Sequence, residues 1–313
     1  MLVYHHDYAM GAPGLGAIHP FDGYRPRRVM EDLRARFGSL LRVQAPPAPA
    51  NDAQLALVHD AAYLSSIKHS RTVAQVLEIA PFALCPRGLL EWLVVRPMRW
   101  ATAGTLQAAR LALDGGCGIN LSGGFHHAKR GNGEGFCMFA DVAYAVQRLR
   151  DEGAIRTVAY VDVDAHQGNG VSSWFADDPD VRILDIFNGD IYPKEDRAAR
   201  ERVDVPVALP AGTEGAFYLD ALRHELPRFL DVGADLVVLN VGTDVLAADL
   251  LGGLKLTLDD VRQRDEFLAQ QVSERKLRTL MVPSGGYSAQ SRVALARAIG
   301  AMLKCFGGVP DAR

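Results

Sequence analysis

No run of lysine and arginine stands out in this chain, and no apolar stretch reaches the roughly 18 uncharged residues of a membrane span. The first absence removes the basic surface that nucleic acid needs, so no direct nucleic-acid partner is expected. The second leaves no candidate for a membrane-spanning helix. Cysteine is scarce too: Cys85, Cys117, Cys137 and Cys305 are scattered and lack C-x-x-C spacing. That spacing excludes a disulfide frame or a zinc knuckle and suits reduced, buried thiols in a cytoplasmic protein. The N-terminal Met-Leu-Val-Tyr-His-His-Asp has no basic region followed by a long apolar run, so a secretory leader is not expected. Neither an internal repeat nor a low-complexity linker divides the 313 residues.

What is present is nearly balanced in charge. There are 34 Lys and Arg against 37 Asp and Glu, a net charge of −3, and 49% of residues are hydrophobic, enough for a core. Leu2 to Tyr4 reads as the start of an edge strand. His5-His6-Asp7 after it reads as a solvated loop, and Gly11 to Gly16 as a glycine-rich loop without phosphate-loop spacing. A helix is expected from about Pro26 to Phe37, with Val29, Met30, Leu33 and Phe37 on one face and Gly38 at its end. Ala45 to Ala50 is an extended connector, and Asp52–Val58 and Ala61–Ile67 are short helices. Thr72 to Leu113 reads as mostly helical, with breaks near Pro81, Pro86 and Pro97. Then come a strand at Cys117–Leu121, a helix at Asp141–Leu149 and a strand at Ile155–Val163. Further strands at Val181–Ile186, Val203–Leu209, Leu236–Val241 and Leu277–Val282 alternate with helices near Ala216–Leu230, Leu258–Ser273 and Gln290–Phe306. Such alternation means βαβ units and a parallel sheet covered on both faces, so one α/β domain is expected over residues 1–313.

The most informative stretch is Tyr160 to Gly170. Asp162 and Asp164 interrupt an apolar strand with period two, so both carboxylates leave the same face. A bare carboxylate there is costly and demands a cation, a metal or a hydrogen-bond partner. His166 follows at the strand's carboxyl end, where ligands bind in open α/β sheets, and Gly168 and Gly170 let the chain turn. Three more polar groups follow apolar strands: His126-His127, Asp244, and Gly285-Gly286-Tyr287. Carboxyl ends of parallel strands share one edge of the sheet, so the four groups should converge. Asp164, His166 and Asp244 can then form a three-ligand metal site with a position left open. The tandem histidines offer a general base or acid with an electrostatic neighbour, and Tyr287 a phenol for an oxyanion. Metal-assisted amide hydrolysis requires that set.

At these residues the sequence resembles the arginase/deacetylase superfamily, and within it the histone deacetylases. Asp-Val-Asp-Ala-His-Gln-Gly-Asn-Gly (162–170), Gly-Gly-Phe-His-His-Ala (123–128), Gly-Phe-Cys-Met-Phe-Ala-Asp (135–141) and Pro-Ser-Gly-Gly-Tyr (283–287) match its blocks. The class IV enzymes are the most similar. His19-Pro20-Phe21-Asp22, Asn169, Asp185-Ile186-Phe187-Asn188 with Ile191-Tyr192-Pro193, and Gly242-Thr243-Asp244 with Leu251-Gly252-Gly253 carry that likeness. The resemblance implies an arginase/deacetylase-like fold and a zinc ion on Asp164, His166 and Asp244. It implies His127 as base and acid with His126 beside it, Tyr287 as oxyanion donor, and Phe136, Gly135 and Tyr192 along an acyl-lysine tunnel. Asp162 would orient His126 and Asn169 would orient His127. A structural potassium ion would sit on Asp185 and on Asp162, Asp164 and His166, largely through their main-chain carbonyls. Ala140 and Asn169 stand where class I enzymes carry Asn and Asp, and a neutral Asn169 does not raise the pKa of His127 as a carboxylate does. Two carboxylate ligands also leave Fe²⁺ open as the metal.

The implied activity is removal of acyl groups, acetyl and long-chain fatty acyl, from lysine side chains of a protein or peptide. The alternative is hydrolysis of a small acylated amine such as an acetylpolyamine, with Asp22, Glu134 or Asp190 as rim carboxylates. A non-catalytic acyl-lysine reader would have lost a ligand or the tyrosine, and arginase-like chemistry needs a carboxylate-rich two-manganese site. Glycines at Ser122–Gly124, Gly131–Gly135 and Gly252-Gly253 would leave room for a long acyl chain.

Overall fold

Short runs of Val, Ile and Leu bounded by polar turns build the centre of the molecule. The computed structural model describes residues 1–11 and 22–309. The strands are β1 (Leu2–Val3), β2 (Val43–Gln44), β3 (Cys117–Asn120), β4 (Val158–Asp162), β5 (Val181–Asn188), β6 (Val205–Leu209), β7 (Leu236–Val241) and β8 (Thr279–Pro283). They form one eight-stranded sheet in the order β2-β1-β3-β8-β7-β4-β5-β6. Every pairing is parallel. This is the expected single α/β domain.

Alternate residues of each inner strand go to opposite faces. Val158, Tyr160, Val238 and Leu280 pack with apolar residues of the Arg96–Gly115 and Asp141–Asp151 helices. Ala159, Val161, Leu239 and Met281 pack against the Arg25–Phe37, Gly215–Leu230, Leu258–Glu274 and Ser291–Cys305 helices. Both faces are covered, which is why these strands are apolar throughout rather than alternating. Each fully buried Val or Leu contributes roughly 1.5–3 kcal/mol. Local signals set the helix ends. Gly38, at φ 52°, stops the first helix. Thr257 and Asp260 form a capping box at the start of Leu258–Glu274.

Three expectations are corrected, and two short helices are added. β1 is not an edge strand, because Val43 and Gln44 pair outside it. Those two residues are exposed and too few to display a strand period. Pro97 does not break its helix. A π-helical turn, Glu91–Val95, leads into Arg96–Gly115, and Pro97 falls in the first turn, where its missing N–H costs nothing. Cys117 and Cys137 are buried, but Cys85 is partly exposed and Cys305, the last residue of the C-terminal helix, is exposed. Short helices at Asn169–Trp174 and Arg197–Glu201 follow polar turns that hid them. The Gly11–Gly16 loop, beyond Gly11, and His19-Pro20-Phe21 lie outside the described residues. Among the described residues no helix is long and apolar enough to cross a membrane.

β3 and β4 follow one another in the chain but stand apart in the sheet, with β8 and β7 between them. The carboxyl ends of β3, β8, β7 and β4 therefore lie side by side, and a crossover of this kind opens a crevice at that edge.

Candidate active site

Each of those four ends delivers a polar group to the crevice. Asp162 closes β4 in register with Asn240 of β7 and Asp185 of β5. Asp164 and His166 continue from β4, and Asp244 follows β7. His126-His127 come from the loop after β3, and Tyr287 from the turn after β8. All are buried except Tyr287, which is partly exposed.

One donor atom each from Asp164, His166 and Asp244 lies within 4.8 Å of the others. His166 Nδ1 is 2.9 Å from Asp244 Oδ2 and 3.2 Å from Asp164 Oδ1. Main-chain N–H groups aim the carboxylates: Gly285 donates to Asp164 Oδ2 at 2.7 Å and Ala165 to Asp244 Oδ1 at 2.9 Å. Gly285 is required there, since a Cβ would stand 2.3 Å from Asp244 Oδ2. Burial and the neighbouring Asp164 carboxylate push Asp244 up to about 7. Burial opposes a charge on His166, yet the same two carboxylates hold it up at about 10. Two buried carboxylates and an imidazole facing one point form a donor set that fits a divalent cation.

The adjacent histidines differ through their partners. His126 Nδ1 is 2.9 Å from Asp162 Oδ2, and His127 Nδ1 is 2.7 Å from Asn169 Oδ1. Burial disfavours charge on both rings. Asp162 and Asp164 outweigh it at His126 and hold it up at about 9. At His127, His126 and His166 reinforce burial and push it well below the usual histidine range. Their rings are 4.0 Å apart, so charge is favoured on one imidazole and disfavoured on its immediate neighbour. Tyr287 is pushed well up by burial and by Asp244 and Asp164, so its hydroxyl keeps its proton.

The approach is aromatic. The Phe136 ring lies 5.7 Å from Tyr287, and the Tyr192 ring 5.1 Å from His127. Gly135, at φ 52°, presses its backbone on His127, and a Cβ there would stand 2.5 Å from His127 Cδ2. Beside His126, Phe136, Tyr287, Arg25 and Met10 is a cavity of about 50 Å³. Of the glycines expected to leave room, Gly123, Gly124 and Gly135 do line this cavity, but several of the set sit against neighbouring atoms. A Cβ on Gly124 would meet Pro283 O at 2.2 Å, on Gly133 Tyr63 Oη at 2.4 Å, and on Gly252 Asp244 O at 2.0 Å. At these three positions glycine permits close packing.

Several contributors escaped sequence reasoning. Asn240 donates to both oxygens of Asp162, at 2.9 and 3.0 Å, and to Ser284 Oγ at 3.0 Å. A lone Asn in the apolar run of β7 was the available signal. Asp141 accepts from the Gly124 and Phe125 N–H groups, each at 2.9 Å, and fixes the loop bearing the histidines. Arg25 donates to the carbonyls of Ser284, Gly285 and Gly286 and holds the turn bearing Tyr287. Asp185, by contrast, was expected beside a potassium ion: its Oδ2 accepts from Gly168 N–H at 2.9 Å, while its buried Oδ1 has no hydrogen-bond partner. The three possible rim carboxylates already have partners: Asp22 with Arg28 at 2.7 Å, Glu134 with Lys129 at 3.1 Å, and Asp190 with the Ala211 N–H at 2.9 Å. Donor atoms of His5, His6 and Asp7 also lie within 4.8 Å of one another, but Arg96 neutralises Asp7 at 2.9 Å.

Comparison with known proteins agrees with this geometry. Residues 19–304 match the histone deacetylase domain family. The chain is 37% identical over 307 residues to histone deacetylase 2 of Arabidopsis thaliana, covering 95% of this chain and 77% of that protein. It is similar in structure to an acetylpolyamine aminohydrolase from Burkholderia pseudomallei, with a TM-score of 0.75, 25% identity, and coverage of 97% of this chain and 98% of that one. It shares its fold with the HDA15 HD domain, at a TM-score of 0.74, 18% identity, and coverage of 99% and 90%.

Proposed function

The chain belongs to the histone deacetylase family, and on that premise we propose that it is a zinc-dependent hydrolase of class IV type that removes acyl groups from lysine side chains. The observation that carries this reading is the buried Asp164, His166 and Asp244 group set beside two histidines, one held by the Asp162 carboxylate and the other by the Asn169 amide oxygen. Those three side chains would hold the zinc ion, and the same donors also accept Fe²⁺. When bound, such an ion supplies Lewis acidity towards an acyl carbonyl and towards water.

The chain's own groups do the rest. His127 is neutral and takes a proton from the attacking water at Nε2, then returns it to the leaving lysine amine. His126, kept charged by Asp162, stabilises negative charge as it develops. The Tyr287 hydroxyl donates to the oxyanion of the tetrahedral intermediate. Phe136 and Tyr192, with Gly135 beside them, border the path of the lysine methylenes. Asp162 orients His126 and Asn169 orients His127. A potassium ion on Asp185 and on the main-chain carbonyls of Asp162, Asp164 and His166 would answer the unpartnered Asp185 oxygen. Residues 1–313 would act as a single catalytic domain, in the cytoplasm.

The cavity bordered by Met10, Gly123, Gly124, Phe136 and Tyr287 would receive the acyl group. Each further methylene buried there would add about 0.8 kcal/mol. The second reading, hydrolysis of a small acylated amine, is favoured by the likeness to the acetylpolyamine aminohydrolase and disfavoured by the partnered rim carboxylates. Both readings are tested by kcat/KM on one peptide carrying acetyl, octanoyl, dodecanoyl or myristoyl lysine, set beside acetylpolyamines. Turnover of the peptides above the polyamines is expected. A rise with chain length supports fatty-acyl preference, a maximum at acetyl confines the enzyme to short acyl groups, and turnover of polyamines alone transfers the proposal to the second reading.

A further inference from the structure

Asn169 poses a problem that a carboxylate at the same place would not. A carboxylate presents only acceptors, whereas a carboxamide has an oxygen on one side and an NH₂ on the other, nearly identical in shape. Which side faces His127 decides which ring nitrogen carries the proton. With Oδ1 facing it, His127 Nδ1 must be the donor, and Nε2 keeps its lone pair. With the NH₂ facing it, Nδ1 becomes the acceptor, the proton moves to Nε2, and the ring has no base to offer at Nε2.

The surroundings choose. Asn169 is buried, with Oδ1 2.7 Å from His127 Nδ1. Its Nδ2 donates to Glu134 Oε1 at 2.6 Å and to Asp196 Oδ2 at 3.1 Å. Both partners can only accept, so turning the amide over would set its oxygen against two carboxylates. Lys129 Nζ reaches the same two oxygens, 3.1 Å from Glu134 Oε1 and 2.7 Å from Asp196 Oδ2, and keeps the like charges together. Each carboxylate is also fixed on its far side. Asn132 donates to Glu134 Oε2 at 3.1 Å, and the Ala199 N–H donates to Asp196 Oδ1 at 3.3 Å.

We infer that Glu134, Asp196 and Lys129 form a clamp that fixes the side-chain amide of Asn169 and, through it, the tautomer of His127. They are positioning residues. The inference rests on His127 acting as the base, but the tautomer is readable whether or not the substrate assignment holds.

The test compares wild type with the Glu134→Gln/Asp196→Asn variant, labelled with ¹⁵N-histidine and followed by long-range ¹H–¹⁵N correlation. In the variant Lys129 remains as a donor and favours the overturned amide. Wild type should carry the His127 proton at Nδ1, and the variant should move it in part to Nε2. On an acetyl-lysine peptide the variant's kcat should fall by about tenfold, part of the roughly 10²–10⁴-fold worth of a general base, with KM little changed. Adding Asn169→Asp should restore kcat, since a carboxylate has no side to choose, and a merely structural loss would not be rescued this way. An unchanged tautomer in the variant, or a kcat loss that Asn169→Asp does not rescue, overturns the clamp. Glu134→Gln alone serves if the double variant does not fold. A wild type that turns over no acylated amine, yet carries its His127 proton at Nδ1, sinks the proposed function and leaves the clamp standing.

Discussion

Two adjacent histidines with the same chemistry are made different by one atom each. Asp162 gives His126 a carboxylate oxygen at 2.9 Å, and Asn169 gives His127 an amide oxygen at 2.7 Å. The first favours a charged ring and the second a neutral one, which supports the proposal that proton transfer belongs to His127. His127→Ala should therefore lower kcat by roughly 10²–10⁴-fold, and His126→Ala by less. Steady-state kinetics on an acetyl-lysine peptide measure both, and a larger loss at His126 would mean that the roles are exchanged. At this scale the sequence was readable where a polar residue broke an apolar run, as at Asp162, Asp164 and Asp244. It was silent where the partner lies far along the chain: Arg25 reaches Ser284 across 259 positions, and Glu134 reaches Asn169 across 35.

Loops rather than strands decide how closely the site's parts approach. Gly135 lies on the loop between β3 and the Asp141–Asp151 helix, with φ 52° and its backbone pressed on the His127 ring. Gly135→Ala adds a methyl group where His127 stands and forces a left-handed alanine, a strain of about 1–2 kcal/mol. If His127 is the base, as proposed, displacing it by about 1 Å can cost about 10²-fold, so kcat should fall by that order while the melting temperature drops only slightly. A variant with normal kcat would place the ring elsewhere. The longer elements were legible because period and burial agree: β7 falls at Leu236–Val241 as expected, and the helices of the second half within about two residues. The two-residue β2 and the Asn169–Trp174 helix were not, since neither is long enough to establish a period.

Across the whole molecule, the parallel order of the sheet brings four strand ends to one edge, and that convergence followed from strand polarity alone. The fold also carries a titratable weakness away from the site. His59 is buried, with Nε2 accepting from the Ala140 N–H at 3.0 Å and Nδ1 3.2 Å from Arg130 O, a pattern only the neutral ring completes. Burial holds it down to about 4, against 6.5 for an exposed histidine. Between those values the unfolded chain binds a proton that the folded chain refuses. The contribution is therefore whole above pH 6.5 and shrinks as pH falls towards 4, by about 3 kcal/mol. Urea unfolding at pH 7 and pH 4.5 should show a steeper loss in wild type than in His59→Gln, and equal losses would remove His59 as a cause. The proposed chemistry needs a cation held by the two buried carboxylates and His166. Protein stripped by a chelator should not hydrolyse an acyl-lysine peptide. Activity should return on titration with Zn²⁺, saturate at one ion per chain, and stay absent in Asp244→Ala. Full turnover by protein that elemental analysis finds free of any transition metal would contradict the assignment of Asp164, His166 and Asp244.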